Sequence, residues 1–520
     1  MYGKWKMALA GLGVLAALVW VPVLHAILLG FNLVMHLVVM TGQWLALRSR
    51  KRRKTPLNWQ GTTQPFVTVQ VLTHNEPPEL VIETLRSLAR LDWEAYEVQV
   101  VDNNTTDPAV WRPLEQACRE LGPRFRFLHV EGLSGFKAGA MNWARQFIDP
   151  RAEFLFVVDA DYVVEPWALR RAVAYGADPK VALVQFPQDY RNVCPENRGI
   201  VAEYRHFFSG YMAMADRLGC VPSTGTLTLV RVSALRALGG FSEDCVTEDA
   251  ELGLRLMLAG HRAVFADERI GHGLLPHDLR TLKRQRWRWA FGNAQILRTC
   301  WRQLLFKPGP NWRQRVGCFV HLTAWFNFNL IPSLSLIVLA ALAQLGVMTA
   351  VQPYLVVIAA FTLLSYFILR SATLSVALRR DGLPVSEIAR ACVVHAGLGW
   401  IFSTSWLKCL WSPDEPFGRT DKFIGAHIPV GLRAVGVELL IGIALLASAG
   451  ILIAADFVLG PIAAVLMAGA RFSVLWVARE MKATFGATEK AWELMTRKPK
   501  AVRPQPAPVE VEDLELVKPA

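Results

Sequence analysis

The chain is poor in charge. Only 19% of its 520 residues are Asp, Glu, Lys or Arg, against 53% hydrophobic residues. Mean hydropathy is +0.28, too apolar for an ordinary soluble protein and too charged for a bare membrane bundle. No Cys-x-x-Cys pair occurs. Cys118, Cys194, Cys220, Cys245, Cys300, Cys318, Cys392 and Cys409 are scattered, so neither a zinc site nor a disulfide scaffold is indicated and reduced thiols are expected. The apolar stretch near the N-terminus is too long for a signal peptide and no small-residue cleavage site closes it, so a cleaved leader is not expected. Positive charge, by contrast, is plentiful, with a net +13. The basic residues gather beside apolar runs, as at Arg48 to Lys54. That is the pattern of cytoplasmic membrane flanks. A lipid bilayer is therefore an expected partner and nucleic acid is not.

Met7 to Leu47 is almost uncharged. A span takes about 20 residues, so residues 1–54 predict a transmembrane segment of two short spans meeting near Trp20-Val-Pro22, with one long span as the alternative. Lys4 and Lys6 before the run and Arg48 to Lys54 after it favour two spans with both ends inside. Residues 55–310 then read as a soluble α/β domain behind a polar linker, Thr55 to Pro65. Strands at Phe66–Leu72, Tyr96–Val101, Phe125–Val130 and Glu153–Val158 alternate with helices at Glu79–Leu91, Pro108–Leu121 and Lys137–Phe147. Alternation of this kind implies a mostly parallel sheet covered on both faces. Residues 311–380 predict a transmembrane hairpin, Val316 to about Leu345, interrupted by Asn327, Asn329 and Pro332, and Tyr354 to about Leu378, whose turn carries no Lys or Arg. In residues 381–430, Val385 to Trp411 reads as a helix lying in the membrane interface, with a further span or a re-entrant piece as the alternative. Val435–Ala455 and Leu459–Val477 close a second hairpin within residues 431–480. The tail, 481–520, is expected to be cytosolic and partly disordered.

The chemistry begins at Phe154 to Asp161, where an apolar strand ends in Asp159-Ala-Asp161. Ligands of α/β domains collect at the carboxyl ends of strands, and one or two carboxylates commonly hold Mg²⁺ beside substrate phosphates. Thr73-His-Asn-Glu76 and Asp102 to Asp107 place further carboxylates at neighbouring strand ends, where they can accept hydrogen bonds from a base or ribose. Each taken singly also fits a turn or helix cap. Gly135-Phe-Lys137 opens a helix with a lysine at its start, a combination suited to a diphosphate. In Val246-Thr-Glu-Asp249, Thr247 reads as an N-cap with Glu248 and Asp249 in the first turn, and a carboxylate at a cleft is what a general base requires. Gln285-Arg-Trp-Arg288-Trp289 offers Arg288 for bidentate phosphate binding and Trp289 for stacking on a sugar face, or else a basic aromatic anchor before a span.

In this order Asp102, Asp159-x-Asp161, Thr247-Glu-Asp249 and Gln285-x-x-Arg288-Trp289 form a D, DxD, TED, QxxRW series. It resembles the processive, membrane-embedded family 2 glycosyltransferases: cellulose, hyaluronan, chitin and curdlan synthases. The resemblance implies a cytosolic α/β domain of GT-A fold inserted in a helical transmembrane bundle with interfacial helices, in the cell inner membrane. It also implies a UDP-sugar donor, Mg²⁺ or Mn²⁺, and a nascent polysaccharide exported through the protein's own channel. Carried over by motif, Glu76 and Asp102 resemble uridine contacts and Lys137 the diphosphate lysine. Asp161 resembles the metal ligand, with Asp159 beside it on metal and nucleotide. Asp249 resembles the catalytic base, within the motif that also holds Thr247 and Glu248. Gln285 and Arg288 resemble diphosphate contacts, and Trp289 the platform for the acceptor sugar. Ser223-Thr224-Gly225-Thr226 stands where the family has a small-residue acceptor segment, and Val184-Gln-Phe-Pro-Gln188 where cellulose synthases also approach the acceptor. Phe417-Gly-Arg-Thr420-Asp-Lys422 resembles the gating loop that closes over the donor, with Arg419 where the family has a hydrophobic residue. The wording Asp102 to Trp111 looks like the bacterial β-1,3-glucan branch, which implies UDP-glucose and a β-1,3 linkage ahead of β-1,4. About forty residues follow the last span, too few for a PilZ-like domain, so control by a cyclic dinucleotide is not expected.

Overall fold

The protein is described by a computed structural model over residues 13, 21–48, 59–61, 63–412 and 431–496. The first of the two expected N-terminal spans, the Lys51 to Lys54 flank, the Phe417 to Lys422 loop and the end of the tail lie outside the described residues.

The α/β region is organised on a seven-stranded sheet. Its strands are β1 (Phe66–Thr73), β2 (Tyr96–Asn103), β3 (Phe125–Val130), β4 (Ala152–Asp159), β6 (Val181–Gln185), β8 (Thr228–Arg231) and β9 (Arg262–Phe265), in the spatial order β3-β2-β1-β4-β8-β6-β9. Short strands β5 (Val163–Val164), β7 (Asp189–Tyr190) and β10 (Gly271–Gly273) form a second sheet in the order β5-β10-β7. The large sheet is mostly parallel, as the alternation predicts. β8 is the exception and runs antiparallel to both β4 and β6. Val67, Val69, Val71, Val98, Val100, Phe156 and Val158, alternate residues of their strands, are buried on one face. Between them on β1 and β2, Thr68, Gln70, Glu97 and Gln99 are also buried, hydrogen-bonded to one another, so both faces are covered. Helices Pro78–Leu88 and Pro108–Leu121 each begin with proline, whose fixed φ suits the first helical position, and Asp107 caps the second by accepting from the Ala109 amide at 2.9 Å.

Among the described residues, four helices are long and apolar enough to cross a membrane: Pro22–Leu45, Gln352–Arg380, Leu432–Ala454 and Leu459–Glu493. Two expectations need correction here. Val316 to Leu345 is not one helix. Trp312–Leu322 and Leu330–Gln344 are separated by a break. The freed carbonyls of the break are taken up by side chains, the condition for non-helical backbone at membrane depth. Gln43 donates to the Thr323 carbonyl at 3.2 Å, Arg370 to those of Ala324 and Phe326 at 3.4 Å, and Trp406 to that of Asn327 at 3.2 Å. Nor is Val385 to Trp411 a single helix. It divides into Val385–Gly397 and Gly399–Lys408, bent by 42°. The last helix runs on from Leu459 to Thr496, well past the expected end at Val477. Its lower part grips the α/β region: Asn192 donates to the Thr488 hydroxyl at 2.8 Å, and Glu480 accepts from the Ile200 amide at 2.8 Å.

Candidate active site

Strand register places the carboxylates. Parallel pairing sets Thr73 level with Asp102 and Leu72 level with Asp159, so β1, β2 and β4 end at one edge of the sheet. Over this edge lies a cavity of about 280 Å³. Glu76, Lys137, Asp159, Asp161, Thr224, Gly225, Thr247, Glu248, Asp249, Gln285, Arg288 and Trp289 all line it. Twelve site residues read from the sequence thus converge from six segments of chain. Asp102 does not line this cavity. It is buried and holds the strand edge together, accepting from Thr73 Oγ1 at 2.8 Å and Thr105 Oγ1 at 2.7 Å and lying 2.8 Å from His129 Nδ1. Thr420 and Lys422 lie outside the described residues.

Lys137 enters from the helix Phe136–Ala144, whose N-cap Gly135 takes the left-handed conformation at φ 79°. Its Nζ donates to Asp159 Oδ1 at 2.7 Å and to the Gly225 carbonyl at 2.9 Å. Burial acts to lower the Lys137 pKa, but the charges of Asp159, Glu248 and Asp249 outweigh it and raise the pKa. The Ser223–Thr228 loop is pinned from behind by Gln185, which accepts from the Thr224 amide at 2.8 Å and Thr228 Oγ1 at 2.6 Å. Thr226 Oγ1 in turn accepts from the Asp159 amide at 3.0 Å. The Thr224 hydroxyl is buried with no hydrogen-bond partner among the described residues, although it borders the cavity.

Glu248 and Asp249 open the helix Glu248–Leu258. Thr247 occupies the N-cap position as predicted, but its side chain makes no capping bond. Its hydroxyl instead lies 3.4 Å from Cys245 Sγ and packs where a Cβ on Gly292 would sit. The absence of a side chain at Gly292 lets the Thr247 turn press onto the long helix Leu279–Phe306. Burial pushes the Glu248 carboxyl up to about 7, with Asp249 adding to the rise and Lys137 opposing it. Burial also raises Asp249, against the pull of Lys137 and Arg288. Two carboxyls here meet two cations across one cavity.

The helix Leu279–Phe306 starts at Asp278, which accepts from the Thr281 amide at 2.8 Å. Burial lowers the Arg288 pKa, while Glu248, Asp249 and Asp159 oppose the shift. Gln285 accepts a hydrogen bond from the Tyr204 hydroxyl. Trp289 stands edge-on to Tyr204 at 5.8 Å and tilted to Trp325 at 5.4 Å between ring centroids. Tyr162 and Tyr190 also line the cavity. No motif announces them, because Tyr162 is a single aromatic between β4 and β5 and Tyr190 one at the end of the two-residue strand β7, whereas Gln188 stood in a recognisable motif.

A divalent metal fits the donor set in part. Asp159 and Asp161 bring hard carboxylate oxygens to one wall, the chemistry that suits Mg²⁺ or Mn²⁺. No group of three or more His, Cys, Asp or Glu residues able to hold a metal occurs among the described residues. A metal bound there would take its other ligands from substrate phosphates and water. Asp161 Oδ2 meanwhile accepts from the Leu274 amide at 2.9 Å, which fixes the side chain.

Gly225 has a distinct consequence. Its φ is +76°, and a Cβ there would stand 2.7 Å from Asp249 Oδ2 and 3.4 Å from Lys137 Nζ. Gly225→Ala is expected to destabilise the loop by about 1–2 kcal/mol through backbone strain. Displacing Asp249 should also lower turnover on the order of a hundredfold. Turnover per folded molecule measures this, and normal turnover would show that Asp249 does not need its present position.

Comparison with known proteins places this architecture. Residues 68–239 match Glycosyl transferase family 2, and residues 154–369 match Glycosyl transferase family group 2. The region these two matches cover, residues 68–369, is that of a family 2 glycosyltransferase, and the α/β region has the GT-A fold. The chain is 27% identical over 284 residues to cellulose synthase 2 of Novacetimonas hansenii, covering 53% of this chain and 17% of that protein. To probable glucomannan 4-β-mannosyltransferase 15 of Arabidopsis thaliana it is 28% identical over 284 residues, covering 51% and 52% respectively. The matches span about half or less of these relatives' own length. A mannosyltransferase from Pyrobaculum calidifontis, solved with GDP-Man and Mn²⁺, shares the fold with a TM-score of 0.52 at 22% identity, over 75% of this chain and all of that one.

Proposed function

We propose that the protein builds a β-glucan by processive, inverting transfer of glucose from UDP-glucose, and passes the product through its own membrane bundle. The observation that carries this reading is the single cavity that gathers Asp249, the Asp159-Ala-Asp161 strand end, Lys137, Arg288 and Trp289. Asp249 takes the proton from the acceptor hydroxyl as that oxygen attacks C1 of the donor. Lys137 and Arg288 face the leaving diphosphate and stabilise its charge. Asp159 and Asp161 would hold a divalent metal, which would supply further charge stabilisation for the leaving diphosphate. Trp289, with Thr224 and Gly225 lining the same cavity, holds the terminal sugar in position for attack. One base suffices because no covalent intermediate forms, and an α-linked donor gives a β-linked product. Glu76 and Asp102 serve the nucleotide, Asp102 by fixing the strand edge beneath it. Gln285 acts on the diphosphate from the same helix as Arg288, and Thr420 and Lys422 belong to the loop that closes over the donor.

The domain division follows: 1–54, 311–380 and 431–480 in the inner membrane, 381–430 at its cytoplasmic face, and 55–310 and 481–520 in the cytosol, where UDP-sugars are supplied. The β-1,3 preference rests on the wording of Asp102 to Trp111. The 4-β-mannosyltransferase and cellulose synthase names among the relatives support β-1,4, and transfer to a lipid-linked acceptor or synthesis of a hyaluronan-like or chitin-like polymer are the remaining readings. Incubation of the purified protein with each UDP-sugar, followed by linkage analysis, tests the proposal. UDP-glucose should be consumed and a β-linked glucan formed, whereas a polymer from another donor would replace the substrate assignment.

The rate should have an acidic limb. Asp249 acts as base only when ionised, and its carboxyl is raised beside a Glu248 that titrates at about 7. Turnover is therefore expected to rise with pH as Asp249 loses its proton. Burial, not Glu248, raises Asp249, so Glu248→Gln should leave the limb in place. A limb lost or moved in the variant would show that Glu248, not Asp249, governs the rate.

A further inference from the structure

Arg286 occupies a position that the QxxRW pattern leaves open, yet it is 0% exposed, as is its partner Glu203. Its guanidinium pairs with the Glu203 carboxylate. Its central carbon lies 3.8 Å from the Tyr204 ring, 4.6 Å from that of Trp289 and 4.8 Å from that of Trp325. Glu203 is held from its other side by His395 Nδ1 at 3.2 Å. Four segments thus meet at one cation: the helix Arg198–His206, the break holding Trp325, the helix Val385–Gly397, and the helix that bears Trp289.

This arrangement is a poor choice for stability alone. Arg286 Nε and Nη1 are buried and have no hydrogen-bond partner among the described residues, and such donors carry a desolvation penalty. A buried ion pair can often be replaced by well-packed apolar side chains without loss of stability. What the cation does supply is orientation. Rings are drawn to a cation by their faces, and Arg286 and Trp289, three residues apart, share one side of their helix.

We propose that Arg286, clamped by Glu203, is a positioning residue that fixes the plane of the Trp289 ring and so aligns the terminal sugar for attack. The inference rests on Trp289 being the acceptor platform. With the clamp removed, the ring turns away, the acceptor hydroxyl misses C1, and water competes for the bound donor. UDP release then runs ahead of sugar incorporation, a divergence that loss of folded protein does not produce.

The test compares Glu203→Met/Arg286→Met with Trp289→Ala, measuring UDP release, sugar incorporation and product length from UDP-glucose, with UDP affinity as a control. Single replacements would leave a buried charge alone and are expected to fold badly, which is why both partners are removed together. The double variant should bind UDP normally, incorporate sugar roughly ten- to thirtyfold more slowly, make shorter chains and release UDP in excess of incorporation. Trp289→Ala should show the same pattern. Should the double variant not fold, Trp325→Leu, which removes one ring of the cage and leaves the ion pair intact, decides by the same excess of UDP. Wild-type coupling in the folded clamp variant beside a defective Trp289→Ala overturns this inference alone. Wild-type elongation in Trp289→Ala overturns the platform reading and the inference with it.

Discussion

Asp249→Asn is expected to abolish polymer synthesis while leaving donor binding in place. The substitution conserves shape, and its amide oxygen can still accept from the Ala250 amide, as Asp249 Oδ1 does at 2.8 Å. On the proposed mechanism the loss is the proton acceptor. Removal of a positioned general base typically costs about 10²–10⁴ in rate, and here no second base need act. Glu248 adjoins Asp249, but its carboxyl is pushed up to about 7 by burial and is partly protonated at neutral pH. Lys137 and Arg288 remain to hold the diphosphate, so UDP affinity should change little. Near-normal turnover of Asp249→Asn would remove the base assignment, and lost UDP affinity would move Asp249 into the donor site.

The second large effect is expected at Asp161. Asp161→Asn keeps an oxygen for the Leu274 amide, which Asp161 Oδ2 engages at 2.9 Å, so the β4 edge should stay folded. Asp161→Ala would lose that bond too and confound folding with chemistry. With its charge gone, the wall formed with Asp159 should hold a divalent cation poorly. The charge stabilisation at stake is several kcal/mol, so turnover should fall on the order of 10²–10³. Excess EDTA should reduce the wild-type protein to the same level, and added Mn²⁺ should restore the wild type far more than the variant. Undiminished synthesis in EDTA would reject a metal at this site.

Much of this was legible in the sequence, and the reason differs by element. Strands such as Phe125–Val130 and helices such as Pro108–Leu121 were bounded correctly because proline, glycine and polar turns mark their ends. The carboxylates were legible because a strand-ending aspartate in a parallel sheet must arrive at one edge, whatever the register in detail. Local pattern reads less well where distant chain decides the outcome. The break between Leu322 and Leu330 was marked by Asn327 and Asn329, but Val316 to Leu345 still read as one span because it is apolar throughout most of its length. Its irregular backbone is held by Gln43, Arg370 and Trp406, remote residues that no local pattern reveals. Thr247 stood in the right place for a capping side chain, but Gly292 on another helix offers its hydroxyl side a tighter seat. Asp102 was read with the nucleotide contacts, and only the hydrogen bonds from Thr73 and Thr105 show it turned into the sheet edge. Arg286 and Glu203 were silent for the same reason: 83 residues separate them in sequence, and nothing near either one announces the other.

The central claim is that one cavity adds many sugars in succession to a chain before releasing it. The direct measurement is product length against time, with purified protein in membrane vesicles, UDP-glucose and Mg²⁺, sampled over many rounds of chain release. A processive enzyme gives long polymer from the earliest time points, with the amount of polymer rising while its length distribution holds steady. Short products that lengthen together, or a single sugar placed on a lipid, would contradict the account.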